Sequence, residues 1–247
     1  MDGEFGEFFM PNNTISSIGF CGKIPTKGDF VQNELNSEFL KHWNEWLQAV
    51  ISVSKEQLEG GWLNCFLTSP VWHFSLSAGI CCDSAMVGTV IPSVDQVNRP
   101  FPFTLAAEHE GSALQGWYKN SWSEKFEKYI LAVLEDDFEL DAWYVELTDE
   151  HIEMSNLKTS TVSYESDDKV KKAWIIQGDV SPALIDLLHQ QYSCHYGCYS
   201  LWWTLGSYSV EPCFIITNGL PQVSQFVAML NGQWQENSWN ITRMLKE

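Results

Sequence analysis

GFCGKIPTKGDF, residues 19–30, decides what kind of protein to look for. Read as a phosphate cradle, Gly22-Lys23 would open a nucleotide-binding domain; read as a turn, it leaves the fold to the elements that follow. A phosphate-binding loop needs glycine, four residues, then Gly-Lys-Ser/Thr, between a strand and a helix. Here Gly19 precedes Gly22 by three positions, and Lys23 is followed by Ile24, which has no hydroxyl to hold magnesium. Pro25 lacks an amide donor and stops a helix from running through this point. The stretch therefore reads as a stiff loop over 19–29. Pro25 fixes one dihedral, Gly28 is free to take a positive φ, and Asp29 is placed to accept backbone N–H bonds.

Outward from this loop, the apolar pattern changes period. Phe39, Trp43, Trp46, Leu47, Val50 and Ile51 recur at spacings of three and four. They predict a helix over about 37–57, capped by Asn36 or Ser37 and buried along an aromatic stripe. Val71–Leu76 alternates and Met86–Ile91 is an apolar run closed by Pro92; both read as strands, and Phe103–Ala107 as a third. The helical period returns over about 113–134. A polar segment over 149–172 reads as a mobile connection, followed by a short strand at Ala173–Ile176. Ser181-Pro182 opens a helix carrying Leu184, Ile185, Leu187 and Leu188. Ser200–Thr204 and Cys213–Thr217 read as paired strands near the sheet centre, and 221–230 as a final short helix. Strands and helices mix without strict alternation. The expected class is α+β, a central largely antiparallel sheet with helices packed on its faces.

Residues 91–105, IPSVDQVNRPFPFTL, form a second unusual stretch. Ser93 and Asp95, two apart, suit a side-chain-capped turn, and Arg99 is placed to pair with Asp95 or Asp29. Ser93 as a nucleophile would need a base held by a third group. None of His42, His73, His109, His151, His189 and His195 sits in a recognisable motif of that kind. No catalytic constellation, metal set or cofactor motif emerges.

Lys and Arg number 14 against 32 Asp and Glu, a formal charge of −18. Such an excess repels phosphate backbones and anionic headgroups, which excludes nucleic acid and membrane surfaces as natural partners. Glu135, Asp136 and Asp137 begin a run to Glu153 with nine acids and no Lys or Arg. It is either a solvated face or a docking surface for a basic partner. No stretch approaches the roughly 20 apolar residues of a membrane span. The first ten residues lack the basic start and apolar run of a signal peptide, so the expected location is the cytoplasm. Seven scattered cysteines fit reduced thiols. The Cys194-His195-x-x-Cys198 cluster lacks a second ligand pair, and its thiols are expected to be buried as small hydrophobes.

The ordered motifs together resemble a known family. Gly-Phe-x-Gly-Lys-x-Pro-x-x-Gly-Asp-Phe over 19–30 is followed by Trp43-x-x-Trp46-Leu47 and Ser69-Pro70-Val71-Trp72-His73-Phe74. Pro92-Ser93-Val94-Asp95-x-Val97-x-Arg99-x-Phe101-Pro102-Phe103, Ser200-Leu201-Trp202-Trp203-Thr204, Gly219-Leu220-Pro221 and Phe226-x-x-Met229-Leu230 complete the series. The chain resembles TagF, also called ImpM, the type VI secretion system-associated family, over roughly residues 17–232. It departs in carrying Asn98 where the family usually has glycine; asparagine tolerates the left-handed conformation. Pro100-Phe101-Pro102-Phe103 also replaces the usual Tyr-Phe-Pro-Leu. The resemblance implies a non-enzymatic, post-translational repressor of secretion assembly in Gram-negative bacteria. It further implies action through the system's forkhead-associated (FHA) scaffold protein.

The expected organisation is a flexible arm over 1–14, one domain over 15–235 and a tail over 236–247. Lys23, Lys27, Gly28, Asp29, Ser93, Asp95 and Arg99 are the candidate site, two loops held rigid so that a surface binds without ordering cost. Trp202 and Trp203 alternate across a strand, so one belongs to the core and the other to a half-exposed interface. The alternative is a small anionic pocket, ligand-binding or enzymatic, built by Lys23, Lys27 and Arg99. A structural part of the secretion apparatus is the third reading.

Overall fold

The computed structural model describes residues 17–149 and 180–241. The arm expected over 1–14, the connection from 150 onward, the strand expected at Ala173–Ile176 and the end of the tail lie outside these residues. Among the described residues seven strands form one antiparallel sheet: β1 (Gly19–Gly22), β2 (Val31–Asn33), β3 (Trp72–Leu76), β4 (Ala85–Ile91), β5 (Phe103–His109), β6 (Tyr199–Thr204) and β7 (Cys213–Asn218). Their order is β2-β1-β5-β4-β3-β6-β7. The helices are α1 (Ser37–Leu58), α2 (Trp62–Leu67), α3 (Ala113–Tyr118), α4 (Ser121–Ala132), α5 (Leu140–Asp149), α6 (Val180–Tyr196) and α7 (Val227–Asn231). The class is α+β, as expected.

The sheet lies between two helical layers. On one face α1, α2 and α7 bury Trp43, Trp46, Phe66 and Met229 against Phe74, Val90, Ala106 and Trp202. On the other, α4 and α5 bury Trp122, Phe126 and Trp143 against Phe20, Val87, Phe103 and Leu105. Beside them α3 and α6 set Leu114 and Ile185 over Tyr199 and Leu201. The aromatic stripe of α1 is wholly buried, and Asn36 starts the helix by accepting the Glu38 N–H at 2.8 Å. Trp43 stacks parallel to Trp202 with centroids 5.9 Å apart and donates its indole N–H to Thr104 at 3.0 Å. A ring of this size removes roughly 150–250 Å² from water, and satisfying the N–H avoids the penalty of a buried unpaired donor.

Several elements differ from the sequence reading, each for a physical reason. Residues 19–22 are a strand, because Cys21 and Phe20 bury on opposite sheet faces between β2 and β5. Alternation in β3 does not mark a solvent face: all five residues are buried, since helices cover both sides. The helix expected over 113–134 breaks at Lys119–Asn120 into α3 and α4, and Trp122 donates back to the Gly116 carbonyl across the break. β6 and β7 do pair, but β7 is an edge and β4 is the centre. The acidic run contains α5, whose Trp143 and Leu147 are buried. The final helix is confined to Val227–Asn231, and Ser181 and Pro182 lie inside the first turn of α6. Cys194 and Cys198 are exposed, not buried, because Ile185, Tyr192 and Tyr196 form the packed face of α6, with Cys194 off that face and Cys198 beyond the helix end.

Candidate functional site

β1 runs antiparallel to β5 with Gly22 opposite Phe103, so the segment after β1 and the segment before β5 emerge side by side. The approach is close. Gly22 has φ 137°, and a Cβ there would lie 2.2 Å from the Pro102 carbonyl oxygen. Only glycine fits. Residues 93–101 then fold on themselves: the Phe101 N–H donates to the Ser93 carbonyl (2.9 Å) and the Asn98 N–H to the Asp95 carbonyl (2.8 Å). Asn98 takes φ 60°, the left-handed conformation the sequence allows it.

Asp95 is the centre of this junction. Its side chain is fully buried, and Oδ1 accepts the backbone N–H of Arg99 (2.8 Å) and of Val97 (3.1 Å). Oδ2 accepts Arg99 Nε (2.6 Å) and Lys23 Nζ (2.9 Å). Burial pushes the carboxyl pKa up. The Arg99 N–H, the Lys23 ammonium, the Arg99 guanidinium and the Val97 N–H together overcome that and hold it well below the usual carboxylate range. The other end of the guanidinium crosses to the first loop, where Nη2 donates to the Gly28 carbonyl at 2.8 Å. The Gln96 N–H donates to the Lys27 carbonyl at 3.0 Å. A side-chain ion pair, a charge-assisted bond and a backbone bond thus fasten the two loops together.

The sequence-derived residues divide accordingly. Lys23, Lys27, Gly28, Asp95 and Arg99 meet at the junction, Lys27 and Gly28 through their carbonyls. Gly28 does not take the positive φ expected of it; that conformation falls to Gly22. Asp29 does not lock the loop: it is exposed, and Asp95 accepts the backbone donors instead. Ser93 is buried, its hydroxyl directed to the Val94 carbonyl at 3.5 Å, with no histidine among its described contacts. Trp202 is core, whereas Trp203 is half-buried between His73 and Trp122. Glu135, Asp136 and Asp137 are exposed in the turn between α4 and α5, remote in the chain from the loops. The cations do not converge on an open anion site, because Lys23 and the Arg99 Nε are already committed to Asp95.

What remains open on the junction is its outer surface. Phe30, Val97 and the Lys27 side chain are exposed, and 61% of the Arg99 side chain is accessible. Phe30 is propped edge-on against Phe101, centroids 5.4 Å apart.

Sequence reasoning missed a second polar cluster. His73 on β3 bonds Thr89 on β4 through Nδ1 (2.8 Å) and Glu127 on α4 through Nε2 (3.1 Å). The Glu127 carboxylate needs a donor, so Nε2 carries the proton and Nδ1 accepts the Thr89 hydroxyl. Burial lowers the His73 pKa and the Glu127 charge opposes that only in part. Thr89 is fully buried, so this hydroxyl–imidazole–carboxylate series ties sheet to helix. The signal was there in the alternation of His73 and Ser75 with Trp72, Phe74 and Leu76, and in the helical period over 113–134; that this helix would lay Glu127 over His73 was not.

Comparison with known proteins places this architecture. Residues 19–149, from β1 through α5, match the family model of the TagF N-terminal domain, type VI secretion system-associated. The crystal structure of PA0076 from Pseudomonas aeruginosa PAO1 is similar at 26% sequence identity and a TM-score of 0.70. The likeness covers 94% of this chain and 99% of that one. No curated protein matches. Among the described residues no helix is long and apolar enough to cross a membrane. With both candidate loops inside the matched region, the chain belongs to the TagF family of type VI secretion system-associated proteins.

Proposed function

We propose that this protein is a non-enzymatic, post-translational repressor of type VI secretion assembly, acting in the cytoplasm by binding the system's FHA scaffold protein. The observation that carries the reading is the fastened loop pair. Its polar groups are consumed in holding shape, and its outer side chains are left free. A surface that is already ordered spends no binding energy on ordering itself. An aromatic and an aliphatic side chain beside two cations suit the centre of a protein contact. Lys27 and Arg99 are also positive points on a chain of net charge −18, which gives the surface a field unlike that of its surroundings.

The test is capture of the FHA scaffold protein of the same bacterium by wild type and by a Lys27→Glu, Val97→Asp double variant. Both substituted side chains are exposed, so folding is expected to be unchanged in a thermal melt. Capture by wild type and loss in the variant supports the reading. Equal capture moves the contact away from the loops, with the Glu135–Asp137 turn next to be reversed in charge. No capture by wild type refutes the scaffold as partner.

A further inference from the structure

The two fastened loops run in register. Lys27 lies beside Gln96 through a backbone bond of 3.0 Å, Gly28 beside Arg99 through a guanidinium bond of 2.8 Å, and Phe30 beside Phe101 through an edge-on ring contact. The register builds one rim on which cationic and apolar side chains are neighbours. Arg99 has five N–H donors, of which two are spent, on Asp95 and on the Gly28 carbonyl. The others, on Nη1 and Nη2, have no acceptor among the described residues. Lys27 is exposed, and its ammonium has no carboxylate within ion-pair reach among them either, on a chain with 32 acidic residues. Between and beside these cations Val97 is 64% exposed and Phe30 39%.

The chemistry of the rim restricts what can cover it. A partner surface laid over Val97 and Phe30 takes water away from the open Arg99 donors, so it must bring an acceptor or leave a charged donor unpaired. A planar carboxylate fits the guanidinium with two parallel bonds. A basic segment would meet Lys27 and Arg99 with like charge. A free anion is held poorly, since an exposed ion pair is worth less than about fivefold in affinity, and Lys23 is already committed to Asp95. The apolar side chains must therefore supply the rest. The acids elsewhere on the chain weigh little at the rim, because charges more than about 8 Å apart are largely screened at about 0.15 M salt. On the loops themselves Asp29 is the exposed acid, against Lys27 and Arg99.

On the reading that the fastened loops are the contact surface, we propose that they bind a partner segment in which an Asp or Glu stands beside a large apolar side chain. The carboxylate takes the open N–H groups of Arg99 and the Lys27 ammonium, and the apolar side chain covers Val97 and the free face of Phe30. Charge fixes the placement and the apolar contact supplies the affinity.

The test pans phage-displayed random peptides on the full chain and counter-selects them on the Lys27→Glu, Val97→Asp double variant. Peptides retained by wild type alone are expected to carry Asp or Glu next to Phe, Leu, Ile or Trp. Retained peptides that are neutral or basic, or none that tells the two proteins apart, overturn the proposal. The best retained peptide, synthesised and titrated, should bind Lys27→Met about twofold to fivefold more weakly at low salt, with the gap closing as salt rises. Lys27→Met removes charge from an exposed side chain that holds nothing in place, so folding is untouched; an unchanged affinity also overturns the proposal. Acidic-apolar peptides without capture of the scaffold protein would leave this inference standing and remove the scaffold. Capture of the scaffold through the loops, with neutral or basic peptides, would do the reverse.

Discussion

His109, at the end of β5, should make this protein lose stability well above the pH at which carboxylates titrate. Its Nδ1 accepts the Gly111 N–H at 3.1 Å, which puts the ring proton on Nε2. Nε2 is buried without a hydrogen-bond partner among the described residues. Protonation would cost the Nδ1 acceptor and bury a cation with nothing to receive it, and burial lowers the pKa from 6.5 to about 4. The sign follows. Above pH 6.5 the ring is neutral folded and unfolded, and the stability is whole. Between 6.5 and 4 the unfolded chain takes up a proton that the folded chain refuses, so stability falls with pH. Each tenfold difference in proton affinity is worth about 1.4 kcal/mol, so the loss from this one ring reaches about 3 kcal/mol by pH 4. Burial also lowers His73 and His189, in the same direction. The measurement is urea unfolding at closely spaced pH values, for wild type and His109→Asn. The variant should show a shallower dependence of stability on pH between 6.5 and 4, by close to one proton's worth, whatever its absolute stability. An unchanged slope would refute the assignment of a neutral, buried His109.

Two further outcomes follow from packing and charge. Gly88→Ala should destabilise: the new Cβ would lie 2.3 Å from Phe74 Cζ and 2.5 Å from the Leu105 carbonyl oxygen, a strain of about 1–3 kcal/mol in a tight core. Reduced chain entropy alone would stabilise the variant by up to about 1 kcal/mol, so a raised melting temperature would refute the packing. Asp95→Asn should lower the melting temperature at neutral pH by leaving Lys23 and Arg99 without their countercharge. Since the folded Asp95 pKa is depressed, its contribution exists above the ordinary value of 3.8 and is lost as pH falls below it. Wild type and variant should therefore converge in acid, and a gap that persists there would show that charge is not what Asp95 supplies.

The helix α1 was legible because its stripe repeats through six large residues, a pattern no strand can use. Strands β3, β4 and β5 were legible for a similar reason. The position of β7 was not, since nothing in Cys213–Asn218 distinguishes a centre from an unguarded edge. β1 was hidden inside what reads as loop, because a four-residue strand rich in glycine has no period to show. The Asp95–Arg99 pair could be anticipated from their placement within one turn. Lys23 could not be assigned to the same carboxylate, because that requires β1 to lie against β5, a pairing between distant parts of the chain. Gly28 and Asp29 were given roles that Gly22 and Asp95 hold, since sequence shows that a turn needs a glycine and an acceptor but not which candidate meets the closest backbone.

The strand order also bears on how the chain acquires its shape. β3, β4 and β5 follow one another in sequence and in space, so their ladders close short loops and can form early. β1 completes its pairing only when β5, some eighty residues later in the chain, is in place. The matched region 19–149 supplies the five contiguous strands β2-β1-β5-β4-β3, with β6 and β7 added afterwards along β3. Such non-local closure slows folding relative to a helical bundle of equal stability. Gly22, Asp95 and their neighbours sit where the non-local ladder between β1 and β5 is joined, so the candidate surface cannot exist until two distant parts of the chain have met.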